Sequence, residues 1–107
     1  MMTENTTTTE RRKVLITGGS GTVGQAFIEQ YRDEFQFFNV SRNETYIDKL
    51  KNAFPEVQSY VSDIQDLDQL TTIFLKVKPN IVIHAAALKH VNFAELNPSR
   101  TTEINIS

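Results

Sequence analysis

The four glycines of this 107-residue chain all lie between residues 18 and 24. They follow the apolar run KVLIT (13–17) and precede a segment whose apolar side chains recur at helical spacing. Glycine usually scatters along a chain, because each tight turn needs a residue that tolerates positive φ. A cluster in one strand-to-helix connection therefore indicates a loop shaped around something other than the chain itself.

Apolar runs and helical stripes alternate along the rest of the chain. The pattern predicts strands at 13–17, 35–41, 57–62 and 80–87, and helices at 22–34, 47–54 and 66–79. Strands that alternate with helices favour the α/β class, with a parallel sheet covered on both faces. We therefore expect the N-terminal part of a Rossmann-like doubly wound sheet, with about four strands in the order 3-2-1-4.

The third helix and the fourth strand allow more detailed expectations. Asp66 is expected to cap the helix, with Gln69 completing a capping box. The buried face of this helix is expected to comprise Leu67, Leu70, Phe74 and Val77. Asn97-Pro98 predicts the start of a further helix that continues toward the last residue. With no fifth strand, residues 81–83 are expected to form an exposed apolar edge that is prone to aggregation.

The glycine loop fits a dinucleotide-binding fingerprint in two ways. Gly-x-x-Gly-x-x-Gly begins at Gly18, and the tighter Gly-x-Gly-x-x-Gly begins at Gly19. The fingerprint needs a sharp turn, close approach of backbone to a diphosphate at Gly21, and tight helix packing at Gly24. The predicted phosphate-binding residues are Gly18, Gly19, Ser20, Gly21, Thr22, Val23 and Gly24. The alternative is a plain glycine-rich turn.

The end of the second strand is predicted to select the coenzyme. NAD-binding proteins place Asp or Glu there, whereas this chain has Ser41-Arg42-Asn43. A planar guanidinium matches a phosphate group, so these three residues favour a 2′-phosphate and hence NADP over NAD. The alternative is that Arg42 is a solvated loop charge and that Ser41 caps the next helix, with Glu44 completing a capping box.

Asp63 and Ile64 follow the third strand, where ligands gather in sheets of this kind. We expect Asp63 to accept a hydrogen bond from the adenine amino group and Ile64 to lie against the ring. The alternative for Asp63 is a helix cap, a role that Asp66 already fits.

Composition argues against several classes of function. A net charge of −2 offers no basic surface for nucleic acid or an anionic membrane. With no cysteine there is no disulfide, thiolate nucleophile or cysteine-ligated metal. Residues 1–12 are polar and threonine-rich, which predicts a disordered tail rather than a signal peptide. We expect a soluble, cytoplasmic protein without a metal, membrane or nucleic-acid partner, and with residues 13–107 forming one NAD(P)-binding domain.

Three stretches together resemble the extended short-chain dehydrogenase/reductase family: TGGSGTVG (17–24), Asp63-Ile64 and HAAA (84–87). HAAALKHVNFAELNP (84–98) is similar to the polysaccharide-biosynthesis branch, the nucleotide-sugar 4,6-dehydratases that include the UDP-N-acetylglucosamine enzymes. Asn92 departs from the proline usual in that branch. TEIN (102–105) is similar to the helix that follows in the family.

The resemblance extends the predicted site along the fourth strand. Ala85, Ala86 and Ala87 would let a coenzyme pass close to backbone, and Lys89 would lie beside it. On spacing alone, the alternative that Lys89 and His90 are solvated loop residues is equally well supported. His84 is expected to be a core histidine with satisfied hydrogen bonds rather than a catalytic residue.

The resemblance also implies an activity that these residues alone do not complete. Family members use Tyr-x-x-x-Lys, but the residues four after Tyr31, Tyr46 and Tyr60 are Phe, Leu and Ile. The resemblance therefore implies the N-terminal part of a longer, homo-oligomeric nucleotide-sugar dehydratase, acting on UDP-N-acetylglucosamine or a similar substrate. We expect the 107 residues alone to be inactive. The alternatives are a 4-epimerase or reductase of the same family, and a non-catalytic NADP-binding module.

Overall fold

A parallel sheet forms the centre of the molecule. The computed structural model describes residues 11–19, 21–63, 66–85 and 101–105. The strands of this part are β1 (Arg12–Thr17), β2 (Phe35–Ser41), β3 (Gln58–Val61), β4 (Ile81–His84) and β5 (Thr102–Asn105). They are ordered β3-β2-β1-β4-β5, and every neighbouring pair is parallel. The predicted α/β class and the order 3-2-1-4 are confirmed.

Helices cover both faces of the sheet. They are α1 (Thr22–Tyr31), α2 (Glu44–Ala53) and α3 (Leu67–Val77). Ile28 of α1 and Leu50 of α2 pack on one face, in a cluster with Val14 and Ile16 of β1. The other face carries α3, and the members of that cluster are Leu15, Phe38, Val40, Leu70, Ile73, Phe74, Val77 and Val82. β1 is buried from Val14 onward because it lies between these two layers.

The predicted face of α3 is right in three of its four residues. Leu70, Phe74 and Val77 are buried, and Ile73 joins them. This stripe follows the i, i+3, i+4, i+7 spacing of a helix packed on a sheet. Leu67 lies in the first turn, one turn before the stripe, and is 56% exposed.

The prediction of a helix over residues 102–105 is wrong. These residues form β5, in register with β4 from Ile81↔Thr102 to His84↔Asn105. The open edge of β4 offers a row of backbone donors and acceptors, which a short helical turn at 102–105 would leave unpaired. Val82 and Ile83 are consequently buried, so the expected exposed apolar edge at β4 is also wrong. The predicted helix start at Asn97-Pro98 lies outside the described residues.

The three helices of the described part have 10 or 11 residues each. α1 ends at Tyr31, shorter than the predicted 22–34. Within the described ranges, no helix has the length and apolar character needed to cross a bilayer.

Candidate functional site: the glycine loop at the carboxyl edge of the sheet

The loop between β1 and α1 turns sharply at Gly18. Gly18 has φ of 82°, in the left-handed region that favours glycine. Its amide donates to the Val40 carbonyl of β2 at 3.2 Å, and the Gly21 amide donates to the Gly18 carbonyl at 3.0 Å. Gly18 is thus the turn glycine, and the structure selects the Gly-x-x-Gly-x-x-Gly pattern of Gly18, Gly21 and Gly24.

Gly24 brings α1 close to the loop. A Cβ built at this position would lie 2.5 Å from both the Gly18 carbonyl oxygen and Gly19 Cα. Both neighbours are backbone atoms, which cannot move aside as a flexible side chain would. A side chain at position 24 would therefore push α1 away from the loop.

Gly21 differs, because its internal surroundings leave room for a side chain. Among the described residues, a Cβ there would meet only the Gly18 carbonyl oxygen, at 3.4 Å, which is ordinary contact. Its φ of −80° and ψ of 174° are open to any residue. Gly21 is exposed and adjoins a shallow groove of about 530 Å³. Packing within the described chain does not explain a glycine here.

The start of α1 leaves its amides available. Gly21 is the N-cap residue, and no side chain caps the helix. The first turn of α1 contains no acidic residue. The first helical amides carry partial positive charge, and such an end attracts an anion. The loop is therefore suited to bind phosphate through bare backbone.

Ser41, Arg42 and Asn43 lie at the same edge of the sheet as the glycine loop. Asn43 is the N-cap of α2, and its side chain accepts from the Thr45 and Tyr46 amides at 2.9 and 3.2 Å. The cap of α2 is therefore Asn43, so the alternative that assigned it to Ser41 is wrong. The Ser41 hydroxyl accepts from the Asn43 amide at 3.3 Å. Arg42, between them, is exposed.

Two more predicted residues lie at this edge. Asp63 follows β3 and is exposed, and its carbonyl accepts from the Asp66 amide at 2.9 Å. The Ala85 amide continues the β1–β4 pairing by donating to the Thr17 carbonyl at 2.9 Å. Five predicted residues lie outside the described part: Ser20, Ile64, Ala86, Ala87 and Lys89.

His84 is buried in a hydrogen-bonded cluster beneath the edge. Its Nε2 lies 2.7 Å from Glu103 Oε2, and its Nδ1 lies 3.5 Å from the Thr17 hydroxyl. These contacts fit the expected core histidine. Across the described ranges, no group of three or more histidine, aspartate and glutamate side chains is placed to hold a metal ion.

Sequence reasoning missed Asn39, a buried residue of β2. Its Oδ1 accepts from the Gly19 amide at 2.8 Å. The signal was present, since Asn39 is a polar residue directly flanked by the apolar residues Phe38 and Val40 in the middle of a predicted strand. A buried amide side chain needs partners, and here one partner is the glycine loop.

Comparisons with known proteins show the family to which the chain belongs. A family model described as polysaccharide biosynthesis protein matches residues 14–107. The chain is 32% identical over 102 residues to UDP-N-acetylglucosamine 4,6-dehydratase (inverting) of Campylobacter jejuni, a match that covers 90% of this chain. It spans 30% of the length of that relative.

Solved structures show the same fold. One is dTDP-glucose 4,6-dehydratase from Bacillus anthracis in complex with NAD, with a TM-score of 0.67, 16% identity, and coverage of 90% of this chain and 37% of that one. Another is yeast methylglyoxal/isovaleraldehyde reductase complexed with NADPH, with a TM-score of 0.61, 23% identity, and coverage of 75% and 25%. By its sequence, this chain belongs to the polysaccharide-biosynthesis branch of the extended short-chain dehydrogenase/reductase family.

Proposed function

We propose that the chain is the coenzyme-binding part of an NADP-dependent nucleotide-sugar 4,6-dehydratase. One observation carries the proposal: α1 begins at an exposed glycine, without a side-chain cap and without an acidic residue in its first turn. That end lies at the carboxyl edge of a parallel sheet, beside the switch between β1 and β4, where such folds bind dinucleotides. The family relationship supports the same function.

The coenzyme is held by backbone in this proposal. The amides of Thr22, Val23 and Gly24 at the start of α1 bind the diphosphate, because the first intrahelical bond shown at this end is made by the Gln25 amide to the Gly21 carbonyl. Gly21 gives the diphosphate access to these amides. When bound, the coenzyme supplies the hydride acceptor. The relatives solved with NAD and NADPH are consistent with a nicotinamide coenzyme.

Arg42 is proposed to favour NADP over NAD. It is exposed beyond the last residue of β2, next to the loop that Gly18 anchors on Val40. A guanidinium at this position pairs with a 2′-phosphate. Ser41 and Asn43 hold the turn in which Arg42 lies, through the hydrogen bond between them. Asp63 on adenine, and Ala85 beside the coenzyme, remain part of the proposal.

The proposed substrate is a nucleotide sugar such as UDP-N-acetylglucosamine, as for the relative from Campylobacter jejuni. The groups that move protons in this reaction are proposed to lie outside these 107 residues. The chain alone is then expected to bind coenzyme and to give no product in a turnover assay with UDP-N-acetylglucosamine. Product formation by the chain alone would contradict this division of roles.

Calorimetric titration with NADP+ and NAD+ tests the proposal. We expect NADP+ to bind more tightly, and Arg42→Asp to weaken NADP+ by about tenfold or more, since a charge-assisted hydrogen bond contributes roughly 1.5–3 kcal/mol. Binding of NAD+ should change by less than about threefold, a difference of roughly 0.7 kcal/mol.

Arg12→Asp is the matched control. Arg12 is an exposed arginine at the first residue of β1, so it lies at the opposite edge of the sheet. The charge change is the same, so a general electrostatic effect would weaken NADP+ binding in both variants. A preference for NADP+ that survives Arg42→Asp would remove Arg42 from its proposed role.

A further inference from the structure

The glycine loop contains one glycine more than its fingerprint requires. Gly18 makes the turn, Gly24 permits close packing and Gly21 leaves the helix start open. Gly19 has none of these tasks. Its surroundings give a different reason for the absence of a side chain.

Asn39 occupies the space beside Gly19. A Cβ at position 19 would lie 2.6 Å from Asn39 Oδ1 and 2.9 Å from Ile16 Cγ2. The same Oδ1 accepts from the Gly19 amide at 2.8 Å, in a buried hydrogen bond between residues 20 positions apart. Gly19 and Asn39 therefore fit each other, and a larger residue at position 19 would displace the amide side chain.

Asn39 also connects the loop to the far side of the sheet. Its Nδ2 donates to the Ser59 hydroxyl of β3 at 3.4 Å, and its side chain is fully buried. A planar amide enclosed in the core has little rotational freedom, so the Asn39 oxygen fixes the direction of the Gly19 N–H, and the longer contact with Ser59 adds little to this. With this amide turned inward, the first amides of α1 are left for an outside group, since no side chain caps that helix.

We infer that Asn39 is a positioning residue for the coenzyme. It holds the glycine loop in the shape that receives a diphosphate, and it is the reason that position 19 is glycine. The inference rests on the proposed function. Asn39 acts through Gly19 and makes no contact with the coenzyme itself, since its side chain is buried.

The first test compares the affinity for NADP+ with the free energy of unfolding. Asn39→Leu removes the acceptor and keeps a similar size, and we expect the Kd for NADP+ to rise about tenfold, the effect of losing one buried hydrogen bond. Asn39→Thr is the second variant, for the case that Asn39→Leu fails to fold. Threonine favours strands and its oxygen lies one bond nearer the backbone, so this variant should also raise the Kd for NADP+. A change in unfolding with an unchanged Kd would overturn the inference.

Ser59→Ala is the matched control. It removes the partner of Nδ2 and leaves the bond from Gly19 to Oδ1 in place. We expect the Kd to stay within about twofold, since the neutral bond removed is weakly placed at 3.4 Å. If Ser59→Ala weakens NADP+ as much as Asn39→Leu does, the strand pairing rather than the loop contact sets affinity, and the inference is wrong.

Amide hydrogen exchange of Gly19, followed by NMR, gives a readout that does not depend on coenzyme. Asn39→Leu should speed this exchange by about tenfold or more, because the amide loses its buried acceptor. Ser59→Ala should leave it unchanged. If the unaltered chain binds neither NADP+ nor NAD+, the proposed function fails, while the exchange of Gly19 still decides whether Asn39 holds the loop.

The pair can also be tested from the other side. Gly19→Ala should weaken NADP+ more in the presence of Asn39 than in an Asn39→Ala chain, where the oxygen 2.6 Å from the new methyl group is gone. Such non-additivity is the signature of two residues in contact. Additive effects of the two substitutions would contradict the proposed fit between Gly19 and Asn39.

Discussion

The start of α1 and the starts of α2 and α3 solve the same problem in opposite ways. Asn43 caps α2 and Asp66 caps α3, each with a side chain that accepts from backbone amides of the first turn. Each of these helices also has an acidic residue in its first turn. α1 has neither feature. Two helices satisfy at least one first-turn amide with a side chain, and α1 satisfies none in this way.

This difference separates stability from binding. A side-chain cap contributes about 1 kcal/mol to the stability of a helix. α1 lacks this contribution at the position where a coenzyme phosphate is proposed to lie. The comparison therefore makes opposite predictions for substitutions at the two kinds of helix start, and substitutions elsewhere on α1 test whether the difference is confined to its first turn.

The largest effect is expected from giving α1 a cap. Gly21→Asp should raise the free energy of unfolding by about 0.5–1 kcal/mol, because a carboxylate accepts hydrogen bonds from first-turn amides and interacts favourably with the positive end of the helix dipole. The same carboxylate takes the place of a phosphate and repels it. The Kd for NADP+ should rise about 100-fold, equivalent to roughly 2.7 kcal/mol.

Gly21→Ser is the matched variant without a charge. It should stabilise the chain by about 0.3 kcal/mol, less than Gly21→Asp because a hydroxyl carries no charge toward the helix dipole, and it should weaken NADP+ less than Gly21→Asp does. Chemical denaturation and calorimetry measure the two quantities on the same samples. If either variant binds NADP+ as tightly as the unaltered chain, the start of α1 does not bind the diphosphate.

A second prediction separates the two glycines that flank the first turn. Gly24→Ala places a methyl group 2.5 Å from loop backbone. It should destabilise the chain by about 1–3 kcal/mol, the usual range for overpacking, and should also weaken NADP+. Denaturation would show this loss. An unfolding free energy equal to that of the unaltered chain would mean that α1 shifts freely, against the packing described here.

A third prediction removes a cap from a helix that has one. Asp66→Ala loses the bond from the Gln69 amide, which is 3.1 Å long. The free energy of unfolding should fall by about 1 kcal/mol. α3 does not start from the glycine loop, so the Kd for NADP+ should remain within about twofold at temperatures where the chain is folded. A large loss of affinity would break the separation between the two kinds of helix start.

The smallest effect is expected at the opposite end of α1. Arg32, the C-cap residue, forms two hydrogen bonds with the Glu56 carboxylate, both 2.9 Å long. Burial raises the pKa of the Glu56 carboxyl. Its own backbone amide and Arg32 lower the pKa by more than burial raises it, so the pKa lies below the ordinary value of 4.5. Both side chains are more than a third exposed, so the pair should contribute roughly 0.2–1 kcal/mol.

The contribution of the Arg32–Glu56 pair to the free energy of unfolding depends on pH. Because the pKa of Glu56 is lower in the folded chain, the stabilisation is present above the ordinary glutamate value and is lost as the pH falls through the folded value. Glu56→Gln should therefore be destabilising at pH 7 and nearly neutral at pH 3 by denaturation. Coenzyme affinity should not change. An effect that grows toward low pH would contradict the assigned pair.

The periodic elements could be predicted from the sequence. The residues of β2 are matched at both ends, and the spacing of Leu70, Phe74 and Val77 identified the core face of α3. These features depend on residues close together in the chain. The glycine loop was likewise found as a loop, because strand, glycines and helix are contiguous.

The failures share a non-local cause. β5 forms because β4 offers an edge for pairing, which local propensity at residues 102–105 does not show. The partnership of Asn39 with Gly19 spans two elements, so no local pattern contains it. The site's supporting residues are predictable only once the sheet order is known.

The bond between Asn39 and Gly19 has a practical consequence for protein engineering. Anyone who grafts the second strand of a relative into this chain, to change coenzyme preference, also replaces the side chain that fills the space above Gly19. The grafted chain then keeps a glycine loop that fits Asn39 rather than the new side chain. Such a graft keeps the fit between strand and loop only if positions 19 and 39 are exchanged together.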